Sequence, residues 1–397
     1  MVKRIRTFFR THWQLLLTVV ILIVIVGLLL LFRLGSLTGG LARAEVTQLD
    51  FSSSWHHIVT NPLNAPLTAL QWLANTFSGH HGQTIARLPS VLFGLLALVC
   101  LTYILRCWYG IRTAIFGAVL FGCSAWLLHV SRLATTDVMY LAVVPVLLAT
   151  HIYWQRQQAR RGAILLVIVA LGLCMYIPGA IWLMLGGLLL QPKRTLGALG
   201  EVRRWWQWAL AGLLAAGLLA PLAWSFWRTP ELIHTWLGLP QTFAPPLIIL
   251  KRLADSLIFP LARGPHDPVV WLDRLPIMSL FASVMVLAGA LFYLRHFRAP
   301  RTRLLIGYFL IGAVLFALNG PVSISLVLPL FFILAAGGIG YLLHEWLRVF
   351  PRNPLARSIG FGLVGLVIAL NCAYNLRAYF VAWPHNHATR TTFTIRR

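Results

Sequence analysis

Nine residues of this 397-residue chain carry a carboxylate, against 33 lysines and arginines. That scarcity makes each acid informative. Glu45 and Asp50 lie in the stretch ARAEVTQLDFSSSWHHIVTNPLNAP, residues 42–66, beside His56 and His57. Asp137 follows Thr135 and Thr136 and precedes an apolar run, an N-cap setting worth about 1 kcal/mol. A carboxylate so placed can cap a helix, sit in solvent, or take a proton from a reacting hydroxyl. Arg87 and Arg132 border apolar runs, and each has two readings. One is a long side chain snorkelling to the membrane interface; the other is a planar fork offered to phosphate oxygens. Lys251, Arg252 and Arg263 are either membrane-surface anchors or further phosphate contacts. The pairs His56-His57 and His80-His81 do not make a metal motif, because adjacent side chains diverge and no acid–histidine spacing matches a zinc sequence. No glycine-rich cradle of the nucleotide-binding kind is present.

The elements that must position these groups are apolar helices. Hydrophobic residues make up 59% of the chain and charged residues 11%, where a soluble domain carries about 25% charged. Apolar runs of membrane-crossing length recur throughout. The sequence therefore predicts an all-α polytopic membrane protein. It places about 11 transmembrane helices near 14–32, 88–105, 114–130, 138–154, 162–175, 180–190, 205–227, 276–294, 304–318, 324–343 and 358–375. The split between 175 and 180 is made at Pro178-Gly179, because proline and glycine interrupt helices. The first run follows the basic stretch VKRIRTFFR and reads as an uncleaved helix, not a signal peptide. Trp205, Trp206 and Trp208 read as an aromatic belt.

The net charge of +24 does not indicate nucleic-acid binding, since the basic residues sit in short clusters between apolar runs. With the N-terminus inside, the short inner segments hold 20 of the 33 basic residues. This orientation puts the C-terminus outside and leaves two large outer segments, 33–87 and 228–275. Seven of the nine acids then fall outside, none of them at a helix centre. Ion-coupled pumps need ionisable groups within the membrane, so the pattern argues against a proton- or sodium-driven transporter and for chemistry at the outer surface. The spacing of Leu63, Leu67, Leu70, Leu73 and Phe77 predicts an amphipathic helix lying in the interface, and the second outer segment is similar in kind. The five cysteines show neither metal nor disulfide spacing. The whole chain, 1–397, reads as one membrane domain with no separate soluble domain.

Several stretches resemble a known family. GQTIARLPSVLFGLLALV at 82–99, LLHVSRLATTDVMYLA at 127–142, HDPVVWLDRLPI at 266–277, VLPLFFILAAGGIGYL at 327–342 and YFVAWP at 379–384 are similar, in order and spacing, to lipid-dependent glycosyltransferases of the GT-C fold. The group is glycosyltransferase family 39, which includes protein O-mannosyltransferases and aminoarabinose transferases of lipid A. The resemblance implies a GT-C-type bundle in the cytoplasmic (plasma) membrane with its site on the outer, periplasmic face. The implied reaction moves a hexosyl or pentosyl group from a polyprenyl phosphate to an acceptor hydroxyl, with inversion. The acceptor would be a lipid, a glycan or a protein; nucleotide sugars and nucleic acid have no part.

By that resemblance Glu45 is the base or acceptor-orienting group and Asp137 its partner. The family carries an Asp-Glu pair soon after the first helix, and here the position reads Ala44-Glu45, so Glu45 acts alone or Asp50 substitutes. Arg87 and Arg132 would hold the donor phosphate, with Lys251, Arg252 and Arg263 as further candidates. His56, His57, Asn61 and His266 are candidate contacts to acceptor or sugar. The resemblance allows a divalent cation near Glu45 and Asp137 without requiring one. Two rival readings are a flippase for a lipid-linked sugar, which an inverted repeat would support, and a non-catalytic scaffold.

Overall fold

A computed structural model describes residues 2–78, 82–156, 161–192, 205–272 and 274–395. His80, His81, Glu201 and Asp273 lie outside the described residues.

The described residues are mostly helical, as apolar sequence in a bilayer must be when no water is present to satisfy peptide groups. Helix α1 spans Val2–Leu31. Three helices of the segment 33–87 follow: α2 (Arg43–Ser52), α3 (Trp55–Thr60) and α4 (Ala65–Ser78). Then come α5 (Gln83–Tyr109), α6 (Ile111–Gly122), α7 (Ala125–Ser131), α8 (Asp137–Arg156), α9 (Arg161–Cys174) and α10 (Ala180–Leu190). The later helices are α11 (Trp205–Arg228), α12 (Leu232–Trp236), α13 (Pro246–Leu261), α14 (Leu280–Arg295), α15 (Pro300–Ala317), α16 (Leu328–Val349) and α17 (Pro354–Arg377). A π-helical turn, Ala378–Ala382, leads into α18 (Trp383–His385) and α19 (His387–Thr392).

Among the described residues, six helices are long and apolar enough to cross a membrane, or seven if the bent pair α6–α7 is one span. Four further apolar helices are shorter. The bend between α6 and α7 is 58°. It falls at Cys123-Ser124, where the Ser124 hydroxyl accepts the Leu127 N–H at 3.3 Å and so starts α7 afresh. The break expected at Pro178-Gly179 is also present: Gly179 takes a left-handed φ of 78°, open to glycine at no steric cost.

The centre of the bundle is set by burial. The α8 span is 72% buried and the span containing α16 is 78% buried, whereas those of α11 and α17 are 17% and 28% buried and form the rim. Close crossing of α14 and α16 depends on glycine. A Cβ on Gly338 would stand 3.0 Å from the Gly289 backbone nitrogen, so neither position tolerates a side chain.

The outer segments are tied down. Gln48 of α2 donates to Gln71 of α4 at 3.0 Å. Ser225 of α11 donates to the Val59 carbonyl of α3 at 3.0 Å. The amphipathic helix expected near 63–77 is α4: Leu67 and Thr68 are buried against the bundle while Phe77 is 82% exposed. In the second outer segment, α13 buries Ser256 and Pro260 and exposes Leu247 and Leu250. Beyond α19 the chain returns across this end, where Leu41 and Ile395 exchange N–H···O bonds of 2.7 and 3.3 Å. Gly40 beside this bridge lies so close that a Cβ would meet the Ile395 carbonyl oxygen at 2.6 Å.

Described residues of the segments 33–87 and 228–275 and of the turn between α7 and α8 meet at one end of the bundle. Glu45 meets residue 134, and His129 bonds residue 269. At the other end Arg156 bonds residue 107 and Arg301 bonds residue 108.

Candidate functional site

The site is built on two arginines, each 2% exposed. Arg87 is the fifth residue of α5, and Glu45 lies in the first turn of α2. The Glu45 Oε2 reaches back to accept the Ala42 N–H at 3.1 Å, which satisfies one of the free amides at the start of α2. The same carboxylate is clamped two ways by Arg87, Nε to Oε1 at 2.8 Å and Nη2 to Oε2 at 2.8 Å. A fourth bond comes from the Ala134 N–H to Oε1 at 2.9 Å. On the arginine, Nη1 donates to the Leu34 carbonyl at 3.0 Å, Nη2 to the Gly40 carbonyl at 3.3 Å, and both reach the Thr38 hydroxyl at 3.3 Å. A buried ion pair holds its place only when such bonds offset the loss of water, and here both partners are fully matched.

This geometry bears on two expectations. Glu45 is 0% exposed and its two oxygens already accept four N–H groups, which leaves it no approach for an acceptor hydroxyl. Arg87 neither snorkels nor faces a ligand, because its N–H groups are spent on Glu45 and on the turn at residues 34–40. Together the pair fastens the first outer segment to α5 and to the loop before α8.

Arg132, at the C-terminal end of α7, is different. Its Nη2 donates to the Phe32 carbonyl at 2.7 Å. Its guanidinium stands over the rings of Tyr379 and Phe380, 5.3 and 4.9 Å from their centroids. Nε and Nη1 are buried with no hydrogen-bond partner among the described residues. Burial lowers the Arg132 pKa from its ordinary value; Tyr379 acts against that and Arg87 adds to it. An anion at Nε and Nη1 would relieve both the missing bonds and the buried charge.

Asp137 begins α8 half-buried, with Ser323 near its carboxylate. Asp267, exposed in the loop after α13, lies near enough to interact with it electrostatically. Asp267 also binds its own loop, its Oδ1 accepting the Val269 N–H at 2.9 Å. The Val269 carbonyl is 2.8 Å from His129 Nε2, which joins this loop to α7. His129 is enclosed by the edges of Trp271 and Trp383, with ring centroids 5.9 and 4.9 Å away.

The structure thus brings Glu45, Arg87 and the loop leading to Asp137 into one cluster, with Arg132 and Asp137 at the same end of the bundle. Asp50 is exposed near the end of α2 and its carbonyl accepts the Ser53 hydroxyl at 2.7 Å. His56 and His57 are exposed on α3, with His57 stacked on Phe51 at 6.1 Å. Asn61 accepts the Leu63 N–H at 3.3 Å and shapes the turn into α4. Lys251 and Arg263 are exposed, Arg252 bonds Asn319, and His266 is exposed ahead of Asp267. Among the described residues no three His, Cys, Asp or Glu side chains gather as metal ligands.

Asp267, His129, Trp271, Tyr379 and Trp383 were not singled out as site residues from the sequence. All five lie within the motif stretches at 127–142, 266–277 and 379–384, which was the available signal.

Residues 62–227 match the model of the dolichyl-phosphate-mannose-protein mannosyltransferase family. Among solved structures the chain is similar to ArnT from Cupriavidus metallidurans in the apo state, 16% identical with a TM-score of 0.56, covering 94% of this chain and 76% of that one. The same protein bound to undecaprenyl phosphate matches at 14% identity and a TM-score of 0.56, over 96% and 76% of the two chains. The oligosaccharyltransferase AglB from Archaeoglobus fulgidus, in complex with an inhibitory peptide and a dolichol-phosphate, matches at 13% identity and a TM-score of 0.54; the chain spans 56% of its length. No curated protein matches by sequence. At these identities the likeness shows the fold, and with its apolar spans it makes the chain an integral membrane protein. The chain resembles ArnT in fold over most of its length, and in sequence, over the stretch that carries Arg87, Arg132 and Asp137, it resembles the dolichyl-phosphate-mannose-protein mannosyltransferase family.

Proposed function

We propose that the protein transfers a sugar from a polyprenyl phosphate to an acceptor hydroxyl at the outer face of the membrane, with inversion at the anomeric carbon. The observation that carries this reading is Arg132, a buried guanidinium with two unmatched nitrogens, in a fold shared with a protein that binds undecaprenyl phosphate. The orientation follows the charge rule: with the N-terminus inside, 20 of the 33 basic residues fall in short inner segments of the sequence, which supports an outward-facing site.

In this reading the donor phosphate sits against Arg132 Nε and Nη1. Asp137 accepts the proton of the acceptor hydroxyl. The hydroxyl oxygen attacks the anomeric carbon, the bond to the phosphate oxygen breaks, and the negative charge left on polyprenyl phosphate is met by Arg132. Glu45 and Arg87 are positioning residues that fix the outer segment and the loop from which Asp137 projects.

The test is transfer by the purified protein in lipid nanodiscs from a polyprenyl-phosphate sugar. Asp137→Asn is expected to lower turnover by about 10²–10⁴-fold, the contribution of a positioned base, and to keep donor binding. Wild-type turnover in both Asp137→Asn and Arg132→Met would end this reading. A covalent glycan product, as opposed to intact donor changing leaflets, separates it from the flippase reading.

A further inference from the structure

The bundle end opposite Arg132 holds two cavities that meet at one residue. Helix α8 is 20 residues long, so its two ends lie about 30 Å apart at 1.5 Å per residue. Asp137 stands at one end and Arg156 at the other. Near Arg156 an apolar cavity of about 340 Å³ opens between α8, α9, α10 and α11, lined by Leu147, Trp154, Ile168, Met184 and Tyr308 among others. A polar cavity of about 270 Å³ adjoins it, lined by Arg156, Arg301, Gln155 and Gln191. His151 lines both. Among the described residues no carboxylate lines either one.

The arginines also have a plain structural duty. Arg156 Nη2 donates to the Cys107 carbonyl and Arg301 Nη1 to the Trp108 carbonyl, each at 3.0 Å, at the C-terminus of α5. Those bonds use one nitrogen of each fork and aim both guanidinium groups at the same polar space. The cavity is also walled on purpose: Gln155 donates to Gln191 Oε1 at 3.1 Å, and Gln191 Nε2 donates to the Pro300 carbonyl at 2.9 Å, which joins α8 to the residue after α10 and to the start of α15. Two cations with no carboxylate among the described lining residues, beside an apolar slot within the membrane span, match a phosphate headgroup with a hydrocarbon chain below it.

We propose that this pair of cavities is a binding site for an anionic phospholipid of the leaflet opposite the transfer site. The phosphodiester sits between Arg156 and Arg301, and one acyl chain fills the apolar slot past His151. Gly187 keeps the slot open, since a Cβ there would come within 2.8 Å of the Tyr308 hydroxyl. The leaflet assignment uses only the orientation given above and is independent of the transfer chemistry.

Full-length protein in phosphatidylcholine nanodiscs containing a minor fraction of phosphatidylglycerol, released for native mass spectrometry, tests this directly. Wild type is expected to retain phosphatidylglycerol in preference to phosphatidylcholine. Arg156→Gln with Arg301→Gln is expected to weaken that retention roughly 30-fold, from about 1 kcal/mol for each basic side chain. The double lysine variant, Arg156→Lys with Arg301→Lys, keeps the charge and most of the retention, which separates loss of charge from loss of fold. Gly187→Leu is expected to reduce retention with both arginines in place. Equal retention of the two phospholipids overturns the proposal, as does full retention by the double glutamine variant. Preferential retention of added undecaprenyl phosphate over phosphatidylglycerol overturns it too. Loss of sugar transfer in the separate assay leaves this result unaffected.

Discussion

Two arginines at one end of the bundle are equally buried, and their surroundings are opposites. Arg87 has a matched acceptor in every direction, with a bidentate carboxylate and backbone carbonyls around it. Arg132 has one carbonyl, two aromatic faces and two nitrogens with nothing to bond. Depth alone does not separate a fastening from a binding group. The hydrogen-bond accounting does: a saturated charge holds structure together, and an unsaturated one at the same depth is suited to something that arrives later.

The strongest way to break this contrast is at the saturated arginine. Arg87→Ala leaves Glu45 charged, buried and bonded only by two backbone amides. It is expected to cost about 3–5 kcal/mol of stability, read as a lower unfolding temperature and loss of monodisperse protein in detergent. Replacing both partners, Glu45→Gln with Arg87→Met, is expected to cost less than Arg87→Ala alone; a larger cost for the pair would show that the ion pair is not what fastens the segment. Arg132→Met should behave the other way round. Its fold is expected to survive, since little is bonded to the charge, while transfer falls about 10²-fold, the scale for losing one preorganised donor. If the unfolding temperature of Arg132→Met drops as far as that of Arg87→Ala, the contrast is void. The smallest effect is expected at Lys251, exposed on α13: Lys251→Gln should leave both unfolding temperature and donor affinity within the scatter of wild type. A clear loss of donor affinity there would extend the binding site to the second outer segment.

The helices were legible because the bilayer enforces a simple rule of length and apolarity. The run placed at 180–190 is the helix Ala180–Leu190, and that placed at 162–175 is Arg161–Cys174. Even the interruption at Pro178-Gly179 follows from backbone sterics, which act on neighbouring residues. The bend at Cys123-Ser124 was not legible, because the apolar pattern runs through it and only the serine cap marks it. The site was legible in composition and not in connection. Scarce acids on one face led to Glu45 and Asp137. That Glu45 would be consumed by Arg87, 42 positions away, depends on how α2 lies across α5, and no spacing rule spans that distance. The two readings weighed for Arg87, interface and phosphate, both omitted a buried carboxylate partner. Asp267 and His129 were missed for the same reason: each acquires its neighbours only when the loop after α13 reaches α7.

The short bridge between Leu41 and Ile395 has a consequence for biosynthesis. The rings over Arg132 belong to Tyr379 and Phe380, and the strand-like pairing that closes above the first outer segment belongs to residue 395. A nascent chain on the ribosome therefore threads every earlier helix through the translocon before its charged centre is roofed. An arrested intermediate ending after α16 would leave Arg132 accessible to water-soluble labels, and release of the remaining segment would extinguish that labelling.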